Sequence, residues 1–326
     1  MAVEVMTENI YRIEIPLPGN PLKVTNSYLI CGGERNLLVD TGFNREECRA
    51  AMDEALSSLY ISMENTDLFI THLHSDHAGL IGHLATPKTK IYMSKADGQV
   101  VAGSQESSHW AMFNQFFHFS GMQASGVENN IMNHPGYRFA APATNDITML
   151  PDGYQLTVGD YNFRCIITRG HTAGHMCLYD QKKRLLLSGD HILGKITPNI
   201  TLWYLGTDVL GQYLESLDRI AELDVDLVLP AHRHVIHDCR LRIAELKTHH
   251  NNRLHDVLNI VSGHRYHATD VAKRMKWDLS FKEWDDFPWG QKLFATGEAM
   301  SHLYHLALKG ELVMSSKDDV IYFACK

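Results

Sequence analysis

The chain has no run approaching the roughly 20 apolar residues that a membrane-spanning helix needs, so no membrane span is expected. Its N-terminus, MAVEVMTENIYRIEIP, has no basic segment leading into an apolar one, and no signal peptide is expected. The six cysteines (31, 48, 165, 177, 239 and 325) form no C-x-x-C pair. That spacing suits neither a zinc ribbon nor a disulfide framework, and the thiols read as reduced in a cytoplasmic protein. Internal repeats and low-complexity tracts are absent. Positive charge is scarce: 30 Lys and Arg stand against 38 Asp and Glu, a formal net charge of −8. Such a balance argues against a general binder of nucleic acid or anionic membrane.

What is present is a chain of 326 residues, 44% hydrophobic, enough for a sizeable core and one large or two ordinary domains. Histidine is the outlier, with 20 residues. Short apolar runs of strand length alternate with helical patterns: IYRIEIPL (10–17), SYLICGGERNLLVDTG (27–42), a helix over 45–59, DLFITH (67–72), a helix over 78–85 and KIYMS (90–94). Strands resume at 154–170, 176–190 and 225–232, with a helix over 208–223. This alternation is the α/β pattern. Residues 97–150 interrupt it with an aromatic and Met-rich segment, SSHWAMFNQFFHFSGMQ, which reads as an inserted helical pair packing on the core or covering a pocket. From about 241 the sequence turns helix-rich and ends in a hairpin on Lys317-Asp318-Asp319, the order of a winged helix.

The chemistry gathers in THLHSDH, where His72, His74, Asp76 and His77 fall within six residues. Neutral imidazole and carboxylate are the ligands of zinc and its neighbours. If His72 and His74 sit at a strand end, alternation aims both one way. Asp76 and His77 follow where the chain must turn, so they can serve a second point. Three further segments each deliver a ligand type at the end of an apolar run: His171 in RGHTAGH, Asp190 in LLLSGDH and His232 in LVLPAH. Strand ends converging on one edge are how α/β sheets build sites. Asp40, closing LLVD, is a candidate to orient a ligand imidazole or to cap the next turn. His234 is an alternative to His232, His175 is expected to order its loop, and His191 to pack or support Asp190.

HxHxDH followed by a lone His, a Gly-Asp and a later Pro-x-His resembles the metallo-β-lactamase fold superfamily over roughly residues 10–240. The resemblance implies an αββα sandwich with a two-metal site on one edge. It implies one ion on His72, His74 and His171, another on Asp76, His77 and His232, and Asp190 bridging them. Asp76 and Asp190 would take part in proton transfer, and a bridging hydroxide would be the nucleophile. Zinc is the expected metal, with iron or manganese also accommodated by such a set. The helices and hairpin after 241 resemble the winged-helix-like C-terminal domain of the LACTB-like branch. Domains are therefore expected at 1–240, with an insertion at 97–150, and at 241–326. The sequence departs from the family's usual pattern at Arg169 and Ala173 around His171, and at Arg233 after His232. These change the pocket lining and not the ligands.

The expected activity is hydrolysis of an ester or thioester, as in hydroxyacylglutathione hydrolases and acyl-homoserine lactonases. A small-molecule acyl substrate suits the aromatic 109–122 segment, and Tyr204 or Tyr213 would offer a hydroxyl to its carbonyl. A homodimer is compatible. The alternatives are a metal-dependent phosphodiesterase or nuclease, and a metal-holding regulator without turnover. A nuclease would want a basic groove, yet residues 241–326 carry 12 Lys and Arg against 11 Asp and Glu. By resemblance, true β-lactamases lack the bridging Asp, so Asp190 points away from antibiotic hydrolysis.

Overall fold

The computed structural model describes residues 3–103, 114–122, 134–142, 146–278 and 283–326. The chain divides into two compact units. One comprises Met1–Glu106, Pro135–Pro198 and Ser216–Ile243; the other comprises Ser107–His134, Asn199–Glu215 and Ala244–Lys326.

The first unit is built on two sheets. A seven-stranded sheet runs in sequence order through β1 (Val3–Thr7), β2 (Ile10–Pro16), β3 (Val24–Ile30), β4 (Asn36–Val39), β5 (Thr66–Phe69), β6 (Ile91–Ser94) and β7 (Ile147–Leu150). A five-stranded sheet has the order β12-β11-β10-β9-β8, from β8 (Gln155–Val158), β9 (Tyr161–Ile167), β10 (Met176–Asp180), β11 (Leu185–Gly189) and β12 (Leu227–Pro230). Pairing is parallel from β4 through β7 and between β11 and β12, and antiparallel elsewhere.

Side-chain alternation explains why the first sheet is apolar on both faces. Tyr28, Ile30, Leu37, Val39 and Phe69 point into a core shared with Phe163, Cys165, Leu178, Leu187 and Leu229 of the second sheet. Leu29, Leu38, Leu68 and Ile70, one residue out of step, pack with Ala51, Met52, Ala55 and Leu56 of the helix Glu46–Ser58. Each such side chain contributes roughly 1.5–3 kcal/mol by leaving water, and a slip of one residue would exchange the two faces. Ser216 and Arg219, on the helix Val209–Ala221, bond to the backbone of Arg169 and Ile167 beside the second sheet. Two mixed sheets sharing one core make this unit the α/β architecture anticipated from the sequence.

The second unit holds a three-stranded sheet, β13-β15-β14, from β13 (Arg265–His267), β14 (Leu312–Lys317) and β15 (Val320–Cys325). Its helices include Ala268–Arg274 and Trp289–Leu308. The helix-rich stretch after about 241 begins with one long helix, Cys239–Val261. The segment expected as an insertion lies partly outside the described residues. Where described, its Phe116, Phe117 and Phe119 share a core with Leu202, Leu303 and Phe323. Tyr213, expected to offer a hydroxyl to substrate, is fully buried with its ring against His250. Among the described residues no helix is long and apolar enough to cross a membrane.

Candidate metal centre

The strand β5 ends at Phe69, so His72 and His74 do not alternate along a strand as expected. They occupy the loop beyond it, and His74 is the N-cap of the short helix Ser75–Ala78 that carries Asp76 and His77. The rings nevertheless converge. His72 Nε2 lies 2.9 Å from His74 Nδ1, and His171 Nε2 lies 3.2 Å from the first and 3.0 Å from the second. Ligand nitrogens around a tetrahedral zinc sit roughly 3.3 Å apart at ordinary Zn–N lengths, so these three already frame a cage of that size.

A second group forms from Asp76, His77 and His232. Asp76 Oδ2 is 3.7 Å from His77 Nε2 and 3.4 Å from His232 Nε2. Asp190, the residue after β11, reaches both groups. Its Oδ2 is 3.6 Å from His77 Nε2 and 3.6 Å from His171 Nε2, and its Oδ1 is 3.4 Å from His232 Nε2. His77 Nε2, His232 Nε2 and Asp190 Oδ1 are buried without a well-aligned hydrogen-bond partner. Buried polar atoms left in this state are costly unless a ligand completes them. The donor set, all imidazole nitrogen and carboxylate oxygen, fits divalent cations of the zinc class.

Surrounding groups fix how each ring points. Asp40, at the end of β4 in left-handed backbone (φ 59°), accepts His77 Nδ1–H at 2.8 Å and the Thr71 backbone N–H at 2.8 Å. It also accepts the Thr71 hydroxyl at 2.8 Å, and Thr71 Oγ1 receives His72 Nδ1–H at 3.0 Å. His232 donates Nδ1–H to the Val24 carbonyl at 2.8 Å. Each of these bonds consumes Nδ1 and leaves the Nε2 lone pair facing inward. Asp40 is therefore an orienting carboxylate rather than a turn cap. His175 accepts the Asp190 backbone N–H on Nε2 at 3.0 Å and directs Nδ1 to Thr168 Oγ1 at 2.7 Å, which orders its loop as expected. Gly189 closes β11 in left-handed backbone (φ 50°), where a Cβ would lie 2.5 Å from His175 Nε2. Only glycine lets the chain turn Asp190 inward there.

Electrostatics separates the two groups. Burial, then the neighbouring imidazoles, pulls His72 well below its usual value and His74 down to about 3, so these two rings of the first group favour the neutral form. In the second, burial pulls His232 down, but Asp190 and Asp76 outweigh it and push it up to about 10. Burial likewise raises Asp76, yet His77 and His232 outweigh it and bring it to about 2. The carboxylates thus make the imidazoles of the second group more basic than those of the first, so a cation there competes with protons.

Of the seven expected ligands, six make up these two groups and Asp190 lies within reach of both. His234 and His237 are exposed, and His191 is buried beside His175. Sequence reasoning missed Asp97, a buried carboxylate bonded to Leu73, Thr172 and Gly174.

A family model described as the metallo-beta-lactamase superfamily matches residues 20–232. The chain is 27% identical to the beta-lactamase-like protein 2 homolog of Caenorhabditis elegans, over 94% of this chain and 87% of that one. It is 28% identical to a lactamase-like protein of Penicillium aethiopicum, over 77% of this chain and 66% of that one. Among solved structures, a metallo-beta-lactamase family protein from Thermus thermophilus superposes with a TM-score of 0.84 at 27% identity, covering 99% of this chain and 100% of that one.

Proposed function

From a chain that belongs to the metallo-beta-lactamase superfamily, and so to a group of metal-dependent hydrolases, we propose a two-metal hydrolase of esters or thioesters. His72, His74 and His171 would hold one ion and Asp76, His77 and His232 the other, with Asp190 available to both. The observation that carries this is the reach of Asp190 into both groups, within 3.6 Å of His77 and His171 and 3.4 Å of His232. Two divalent ions at such a site lower the pKa of a water between them and polarise a carbonyl oxygen.

The chain's own residues do the rest. Asp40 and Val24 hold imidazole lone pairs inward, and Asp76, with its side chain 14% exposed, is placed to pass a proton outward. Zinc is the metal favoured by five imidazoles, and the 27% identity to the beta-lactamase-like protein 2 homolog of Caenorhabditis elegans supports a LACTB-like branch. The six free cysteines suit the reducing cytoplasm.

The test is metal analysis of the purified protein, followed by turnover on a panel of thioesters, lactones and phosphodiesters. Metal-dependent cleavage of thioesters or lactones supports the proposal. Strong cleavage confined to phosphodiesters or RNA would replace it with a phosphodiesterase.

A further inference from the structure

Asp97 belongs to neither group, yet it is 1% exposed. It lies in the first turn of the helix Lys95–Ala102, whose N-cap Ser94 is the last residue of β6. Its Oδ2 accepts the Leu73 N–H at 3.0 Å and the Thr172 hydroxyl at 2.6 Å, and its Oδ1 accepts the Gly174 N–H at 2.7 Å. Leu73 stands between His72 and His74, and Thr172 directly follows His171. One carboxylate therefore ties together the two loops that supply all three nitrogens of the first group.

The fit is tight. A Cβ on Gly174 would lie 2.1 Å from Ser94 Oγ and 2.6 Å from Asp97 Oδ1, so only glycine permits this approach. All three partners are donors, which an acceptor-only carboxylate satisfies. An amide would turn one oxygen into a donor facing another donor. The three imidazole nitrogens lie within 3.2 Å of one another, and Asp97 braces from outside the cage the two loops that bring them together. The second group is held by other bonds: Asp40 to His77 and the Val24 carbonyl to His232.

We propose that Asp97 is a positioning residue for the His72–His74–His171 metal position alone; this rests on the two-metal reading above. It sets the separation of the two loops and does not touch the metal.

The test is titration of the metal-stripped protein with zinc against a chromophoric chelator, in two backgrounds that each cripple one group. With His232→Ala, the remaining zinc reports on the first group; with His74→Ala, it reports on the second. Asp97→Asn is expected to weaken zinc tenfold or more in the first background, on the scale of changes beside metal ligands, and to leave the second within about twofold. Thr172→Val removes one of the three bonds and should give a smaller loss, again in the first background only. It also serves if Asp97→Asn fails to fold, as judged by thermal melting. Equal weakening in both backgrounds, or none in either, overturns the proposal while two-metal binding by the parent chain stands. A parent chain that binds no zinc overturns both.

Discussion

Asp40 Oδ2 and His77 Nδ1 meet at 2.8 Å, and the same carboxylate reaches His72 through the Thr71 hydroxyl. One carboxylate thus sets the tautomer of a ring in each of the two groups. Asp97, by contrast, braces only one.

Asp40→Ala should therefore weaken both metal positions. It leaves the His77 and His72 rings free to turn, with an expected loss of about 10–100-fold in zinc affinity at each. Chelator competition measures it, and an effect confined to one position would separate Thr71 from the role assigned here.

Asn26 ties the loop after β12 to β3. Its amide donates to the carbonyls of Pro230 and Arg233 at 2.9 and 3.0 Å, and its backbone N–H donates to Ala231 at 2.6 Å. Asn26→Ala leaves two carbonyls short of a donor, one shared with Tyr28. A loss of about 1–3 kcal/mol in unfolding free energy is expected, read by denaturant titration. Zinc binding by His232 should weaken with it.

The second unit carries a pH dependence of its own. His250 Nδ1 and His302 Nε2 lie 3.1 Å apart, both buried, on the helices Cys239–Val261 and Trp289–Leu308. Burial, followed for His250 by the nearby His302, His249 and Arg253, holds His250 well below its usual value; burial brings His302 to about 3, with Arg253, His249 and His305 pulling the same way. The folded histidine stays neutral where the unfolded one protonates. Stability is therefore whole above the unfolded value of about 6.5 and falls as pH drops toward 3, by about 1.4 kcal/mol per unit for each histidine. Replacing His302 by Gln should remove one such slope from unfolding free energy measured between pH 4 and 6.5. An unchanged slope would show that His302 protonates in the fold.

Gly174→Ala should damage the first group from the opposite side to Asp97→Asn. The added methyl must displace Ser94 or Asp97, costing about 1–3 kcal/mol of stability. Thermal melting and zinc titration in the His232→Ala background check the two effects together.

Much of this site was legible because each ligand type ends a short apolar run. That pattern located His171, Asp190 and His232 after β9, β11 and β12. Local geometry was less legible: β5 stops three residues short of His72, and loop backbone, not strand alternation, converges the rings. Asp97 was hidden by a simpler local meaning. Ser94 and Asp97 form a helix-start pattern, and Ser94 Oγ does accept the Asp97 N–H. Its partners at 73, 172 and 174 are distant in sequence and leave no periodic trace. The grouping of 199–215 with the C-terminal unit rests on long-range packing, such as Leu202 against Leu303 and Phe323. The short strands β1 and β13 exist through pairing with β2 and β15.

The most direct measurement is a zinc titration of the metal-stripped chain, with thioester turnover recorded at each addition, beside the same titration of Asp190→Ala. The result expected is two zinc ions per parent chain, activity that rises with their binding, and an Asp190→Ala chain with weakened zinc and turnover roughly a thousandfold lower. A parent chain saturated by one ion, or one hydrolysing its substrate at full rate without metal, would contradict the two-metal assignment.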